Sequence, residues 1–74
     1  MSKEDVLGRY MHYKGNVYVV VNVGFHTEDE ERVVIYHLEK DVYGDQLWVR
    51  PYDMFFEKIR VNGNLVERFK RLED

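Results

Sequence analysis

Near the end of this chain the sequence reads FFEKIRVNGNLVERFK, with Asn62-Gly63 at its centre. An Asn-Gly pair between alternating apolar residues is the strongest short-range hairpin signal, because a two-residue type I′ turn needs positive φ at both corners. The turn fixes the register. Val61 then opposes Asn64, Ile59 opposes Val66, Lys58 opposes Glu67, Glu57 opposes Arg68 and Phe56 opposes Phe69. Two apolar pairs and two opposite-charge pairs follow, each worth about 0.2–1 kcal/mol. A slip of one residue loses them all.

The rest of the chain speaks the same language. Alanine is absent, and valine, isoleucine, tyrosine, phenylalanine and tryptophan dominate the apolar set. Branched and flat side chains fit a pleated, half-buried surface. Arg9–Tyr13 alternates as a first strand, and Lys14–Asn16 supplies a turn. Val17–Phe25 is a second strand whose Val17, Val19, Val21 and Val23 share one face, the expected core face. The acidic turn His26–Glu31 leads into Arg32–Glu39, apolar on both faces and therefore expected to be central. Lys40–Gln46 reads as a loop, Leu47–Arg50 as a short strand, and Pro51–Met54 as one helical or 3₁₀ turn, because Pro at a first helical position loses no needed hydrogen bond. Ser2–Asp5 suits the start of a short N-terminal helix. The expected fold is all-β: a single domain over 1–74, a small barrel or roll of five or six antiparallel strands.

Composition removes several kinds of function. A chain of 74 residues holds one small core with little room for a deep pocket. With no cysteine there is neither disulfide nor thiolate chemistry, and the cytoplasm is the expected compartment. The opening residues MSKEDVLGRY are charged and lack the apolar stretch of a signal peptide. No apolar run is long enough for a membrane-spanning helix, so no membrane partner is expected. A net charge of −3 argues against binding duplex nucleic acid. The acidic run Thr27–Glu31 and the basic run Arg68–Arg71 read most simply as a solvated turn and a solvated tail.

Catalysis finds little to work with. Ser2 and Thr27 are the only hydroxyl nucleophiles of their type, and neither has the setting of a triad. His12, His26 and His37 lack metal-site spacing. Carboxylates Glu28, Asp29, Glu30 and Glu31 crowd one turn, where like charges keep an edge soluble. No catalytic residue, metal or cofactor is expected.

The stretch LWVRPYDMFFE, Leu47–Glu57, is the chemically richest. Alternation puts Leu47 and Val49 on one face, expected to be core, and Trp48 and Arg50 together on the other, where guanidinium and indole can stack. Met54 and Phe55 should pin the helical turn to the core. The plainer reading is that Trp48 is a packing anchor and that Arg50 neutralises Glu57.

Four segments then combine into a pattern: YMHYKGNVYVV, HTEDEERVVIY, LWVRPYDMFFEKI and NGNLVERF, in that order, over residues 10–69. The chain resembles a family of short bacterial and phage proteins known as domain of unknown function sixteen fifty-three, whose pattern runs Tyr-x-His-x-Lys-Gly, His-x-Glu-Thr, Trp-Val-Arg-Pro-x-x-Met-Phe and Pro-Arg-Phe. The resemblance implies a small SH3-type β-barrel and no particular activity. The chain departs from the pattern at Phe25, where Arg is common, at Asp29 in place of Thr, and at Glu67 in place of Pro.

The leading expectation is a non-enzymatic binding module with an aromatic and cationic surface groove for an anionic or flat ligand, such as a nucleotide-like molecule, a single nucleic-acid strand or a peptide. Its candidate residues are Trp48, Arg50, His12 and Lys14, with Tyr10, His26 and Arg68. Two alternatives stand beside it: a structural role through homo-oligomerisation, and a small hydrolase.

Overall fold

The computed structural model describes residues 5–72. In chain order it contains β1 (Gly8–His12), β2 (Val17–Phe25), β3 (Arg32–Leu38), β4 (Trp48–Pro51), the single helical turn α1 (Tyr52–Phe55), β5 (Lys58–Val61), β6 (Asn64–Glu67) and β7 (Phe69–Arg71). The first four strands and α1 fall within a residue or two of their expected places. The N-terminal helix expected at Ser2–Asp5 lies outside the described residues apart from Asp5.

All pairing is antiparallel. Five strands form one sheet in the order β4-β3-β2-β1-β7, and β5 and β6 form a separate two-stranded ribbon. The ribbon has the register that Asn62-Gly63 dictates: Val61 opposite Asn64, Ile59 opposite Val66 and Lys58 opposite Glu67. Asn62 and Gly63 both have positive φ, 50° and 83°, as a type I′ turn requires.

The ribbon ends earlier than expected. At Arg68 the chain leaves β5 and crosses to the first strand, so Phe69 lies opposite His12 and not Phe56. Glu57 and Arg68 still meet, through the Arg68 N–H to Glu57 carbonyl bond of 3.1 Å and a 2.6 Å ion pair. The basic run is therefore a seventh strand, not a solvated tail. Arg71 folds back on the N-terminal segment, donating to the Asp5 carbonyl at 3.0 Å and to the Tyr10 hydroxyl at 3.1 Å. The ladder among the described residues does not close. The ribbon strands pair with each other and leave β4 and β7 as edges, so the molecule is a mainly-β roll and meets the expectation of a barrel only loosely.

The core is aromatic. Val6, Tyr10, Val20, Val34, Tyr36, Phe55 and Phe69 form the buried cluster, with Leu7, Tyr18, Val23, Tyr52 and Phe56 packed against it. Phe55 and Phe69 lie face to face, centroids 4.1 Å apart and planes within 6°. Tyr10 and Tyr36 meet Phe55 edge-on at 5.2 Å and 5.4 Å. The Tyr10 hydroxyl donates to the Val6 carbonyl at 2.8 Å, which satisfies its polar atom inside the core.

Three expectations about faces are overturned. On β2 the core side chain is Val20, 2% exposed, flanked by Tyr18, while Val21 is 40% exposed. A bulge between Val20 and Asn22 inserts Val21 as an extra residue. Beyond it the parity changes, so Val23 returns to the core. On β4, Trp48 lies opposite Tyr36 and Arg50 opposite Val34, both core residues of β3. Trp48 and Arg50 thus share the core-side face, while Leu47 and Val49, expected inside, are 54% and 60% exposed. In α1 only Phe55 is buried and Met54 is 45% exposed, since a single turn can present one side chain squarely to the sheet.

Phe55→Ala should remove about 3–5 kcal/mol of stability, the usual cost of deleting a buried aromatic ring. Met54→Ala next to it should change stability by less than about 0.5 kcal/mol, as expected of an exposed side chain. Urea denaturation of the two variants checks the contrast, and equal losses would contradict this account of the core.

Candidate functional site

The core-side face of the five-stranded sheet carries a row of aromatic rings, and cations gather at the end where the rings reach the surface. Strand pairing builds it: Tyr10 faces Tyr18, Val20 faces Tyr36, Tyr36 faces Trp48, and His12 faces Phe69. Opposed residues on antiparallel strands point to the same side, so His12, Tyr18, Tyr36, Trp48, Arg50 and Phe69 share one face.

Phe69 is the hub of this end. Its ring meets His12 at 4.9 Å, Tyr18 at 5.7 Å and Tyr36 at 5.6 Å. The Arg50 guanidinium carbon stands 5.8 Å from its centroid, and Arg50 Nε reaches the Tyr36 hydroxyl at 3.5 Å. The stack of Arg50 on Trp48 expected from their spacing does not form, because Arg50 leans inward over Phe69. Trp48 is 44% exposed, and no ring or cation contact to its indole is formed among the described residues. It flanks Tyr36 at the rim of the face and is not the main packing anchor. The partner of Glu57 is Arg68, not Arg50, and no carboxylate pairs with Arg50 among the described residues.

His12 sits among these cations. Its Nδ1 accepts the Lys14 backbone N–H at 3.2 Å. Burial first, then the positive charges of Arg68, Arg50 and Lys14, hold its pKa below the usual 6.5. Desolvation and like charge both disfavour the imidazolium. Arg68 adds a further unsatisfied group: its Nη2 binds Glu57, but its Nε is buried without a hydrogen-bond acceptor. A chain with net charge −3 has thus concentrated Arg50, Arg68 and Lys14 around one imidazole.

Of the expected site residues, the fold brings Arg50, His12 and Arg68 together, with Lys14 in the adjoining exposed turn, while Trp48 shares their face only as the cross-strand neighbour of Tyr36. Tyr10 is 3% exposed and its hydroxyl is occupied by Val6 and Arg71, so it belongs to the core. His26 lies in the turn at the far end of β2, where its Nδ1 accepts the Glu28 N–H at 3.3 Å and stands 3.4 Å from Asp29. His37 is buried elsewhere, against Gly44 of the β3–β4 loop. Tyr18, Tyr36 and Phe69 complete the face and were not singled out from sequence. Tyr36 could have been, since it stands opposite Trp48 once the register of β3 and β4 is known.

A separate open groove, about 660 Å³ in volume, runs between β1 with β7 and the β5–β6 ribbon. Met11, Tyr13, Leu65 and Val66 give it an apolar lining, with Lys58 and Lys70 at its sides. His12 alone connects it with the cationic face, and Lys58 is already matched by Glu67 across the ribbon.

A family profile described as "Protein of unknown function (DUF1653)" matches residues 8–71. The chain belongs to that family. The match takes in every strand from β1 to β7 and all the residues of the cationic face. A crystal structure of a DUF1653 protein from Bordetella bronchiseptica shares the fold, with a TM-score of 0.76 and 24% identity, over 96% of this chain and 92% of that one. No curated protein matches significantly.

The lowered pKa of His12 has a testable sign. Its folded-state value lies below the unfolded 6.5, so the unfolded chain binds the proton more readily. Stability is then full above pH 6.5 and falls as the pH drops towards the folded value. An NMR titration of the His12 ring should give a midpoint below 6.5. Arg68→Gln should raise that midpoint, because it removes the largest of the repelling charges. A midpoint at or above 6.5 in the unmodified protein would refute the arrangement.

Proposed function

We propose that this DUF1653 protein is a non-enzymatic binding module whose ligand is anionic and flat. It binds at the aromatic and cationic end of the core-side face. The observation that carries the reading is Arg50: half-buried, seated over Phe69, hydrogen-bonded only to the Tyr36 hydroxyl, and without a carboxylate partner among the described residues. A guanidinium held by rings keeps its other donors for an incoming anion, and its planar fork suits phosphate or carboxylate. Trp48, exposed beside Tyr36, offers a face on which a planar group can stack. The His12 imidazole and the positive charge of Arg68 lie close to Arg50.

The chemistry of the face fits a nucleotide-like ligand best, because such a molecule joins a ring to an anion. Adenosine 5′-monophosphate, adenosine and inorganic phosphate form a discriminating set of probes. In an NMR titration the monophosphate should shift the Trp48 Nε1–H and Arg50 Nε–H signals and raise the His12 midpoint. Adenosine and phosphate alone should bind more weakly. Arg50→Ala and Trp48→Ala should each weaken binding about tenfold or more, in line with a charge-assisted hydrogen bond or a base stack. The melting temperature should move little for Trp48→Ala. No response to any probe, or unfolding of both variants, would defeat the proposal.

A further inference from the structure

The two edges of the five-stranded sheet are unlike. β7 is guarded in the usual manner: it is three residues long and carries Lys70 and Arg71. β4 is not guarded along its apolar stretch. Leu47, Trp48 and Val49 are three consecutive large apolar residues, 54%, 44% and 60% exposed. Charge and proline enter only at the far end, with Arg50 and Pro51. β4 pairs with β3 on one side, and no other backbone hydrogen bond involves Leu47–Pro51 among the described residues. An exposed apolar edge with open N–H and C=O groups is a template for another strand.

We infer that the occupant of this edge is a second copy of the chain, joined antiparallel through β4 about a two-fold axis at Val49. The matching of residues argues for this choice. An isologous contact must be complementary to itself. With Val49 opposite its own copy, Leu47 meets Pro51 of the other copy on the outer face. On the core-side face Trp48 meets Arg50 of the other copy. Each copy holds one indole without a ring or cation partner and one guanidinium without a carboxylate among the described residues, and the axis brings each to its complement twice. Opposed residues stay on their proper faces, because a two-fold axis normal to the sheet requires an even sum of residue numbers. A register centred on Trp48 obeys the same parity but sets Arg50 against Gln46, with no such match. The pairing would yield one continuous ten-stranded sheet, with the cationic faces of both copies side by side.

The size of the contact sets its strength. Five residues per copy fall far short of the 20–30 per side, or about 800 Å² per partner, of a standard stable interface. Val42 and Tyr43, 81% and 87% exposed in the loop before β4, can enlarge it. The dimer is therefore weak and reversible, favoured at high concentration and not permanent.

Sedimentation velocity on the full chain from about 10 µM to about 1 mM spans the range where such a dimer should appear. The weight-average mass should rise towards twice the monomer. Leu47→Lys with Val49→Lys should hold it at the monomer, since both residues face outward and neither belongs to the ligand face. If the lysine pair lowers the melting temperature, Leu47→Asn with Val49→Thr replaces it, and the same loss of dimer is expected. Contacts between Val49 of a labelled copy and Val49 of an unlabelled one should appear in a filtered NMR experiment. A strict monomer throughout, or a dimer indifferent to both variant pairs, would overturn the inference. The Leu47/Val49 variants keep Trp48 and Arg50, so adenosine monophosphate binding by the monomeric variant reports on the ligand proposal separately.

Discussion

The packing of Phe69 on Phe55 is the contact on which the rest of this structure depends. It joins the last strand to the single helical turn, at a centroid distance of 4.1 Å. Because Phe69 also lies opposite His12, the same ring ties the end of the chain to the first strand. Its remaining edges meet Tyr18 and Tyr36 on the strands between. One residue thus knits elements from both ends of the sequence, which a domain this small needs, since it can bury only about 60% of its unfolded surface. The Asn62-Gly63 ribbon is the arm that swings Phe69 into place. Its register is local, and Arg68, held to Glu57, is the elbow where the chain leaves the ribbon for the sheet.

The same ring explains the chemistry at the surface. Arg50 approaches Phe69 and not Trp48, so its charge is presented at the rim of the core, beside His12 and Arg68. A cation over an aromatic face keeps part of its attraction while its N–H groups stay available. The carboxylates that could cancel it are elsewhere. Glu57 is engaged by Arg68, and no ion pair joins Arg50 to the acidic run Glu28–Glu31 among the described residues. The acidic loop residue Asp41 is also committed, its carboxylate accepting the N–H of Gln46 first and that of Asp45 as well, which keeps its own pKa low. The negative net charge and the local positive field are compatible because charge interactions are screened over about 8–10 Å at ordinary salt.

The bulge in β2 and the bare edge at β4 are linked through the two faces of the sheet. One face is filled by large rings, and the bulge at Val21 lets both Val20 and Val23 reach it. The other face is left with the smaller aliphatics, including Ile35 and Val49, which oppose each other on β3 and β4. Beside these two faces the β4 edge keeps its outer backbone groups without a strand partner among the described residues. Trp48 and Arg50 belong both to the proposed ligand face and to the β4 edge, so the two proposals call on the same two side chains.

By itself the sequence determined what is local. Asn62-Gly63 dictates the ribbon register, the Val- and Tyr-rich segments dictate strands, and Pro51 dictates where β4 yields to a helical turn. Each depends on backbone preferences that act over a few residues. Trp48, Arg50, His12 and Arg68 stand out in an acidic chain as aromatic and cationic residues, and of these the fold sets Arg50 and Arg68 beside His12. Tertiary structure decided which side of each strand is inside. Val17, Val19, Val21 and Val23 look like a core face, and Leu47 and Val49 look buried, only while the other face is supposed to meet water. Here both faces are apolar, so alternation carries no sign, and ring volume together with one inserted residue chose the side. Tyr10 went to the core and His26 to a distant turn for the same reason: proximity in space is set by strand order and register, which no short stretch encodes.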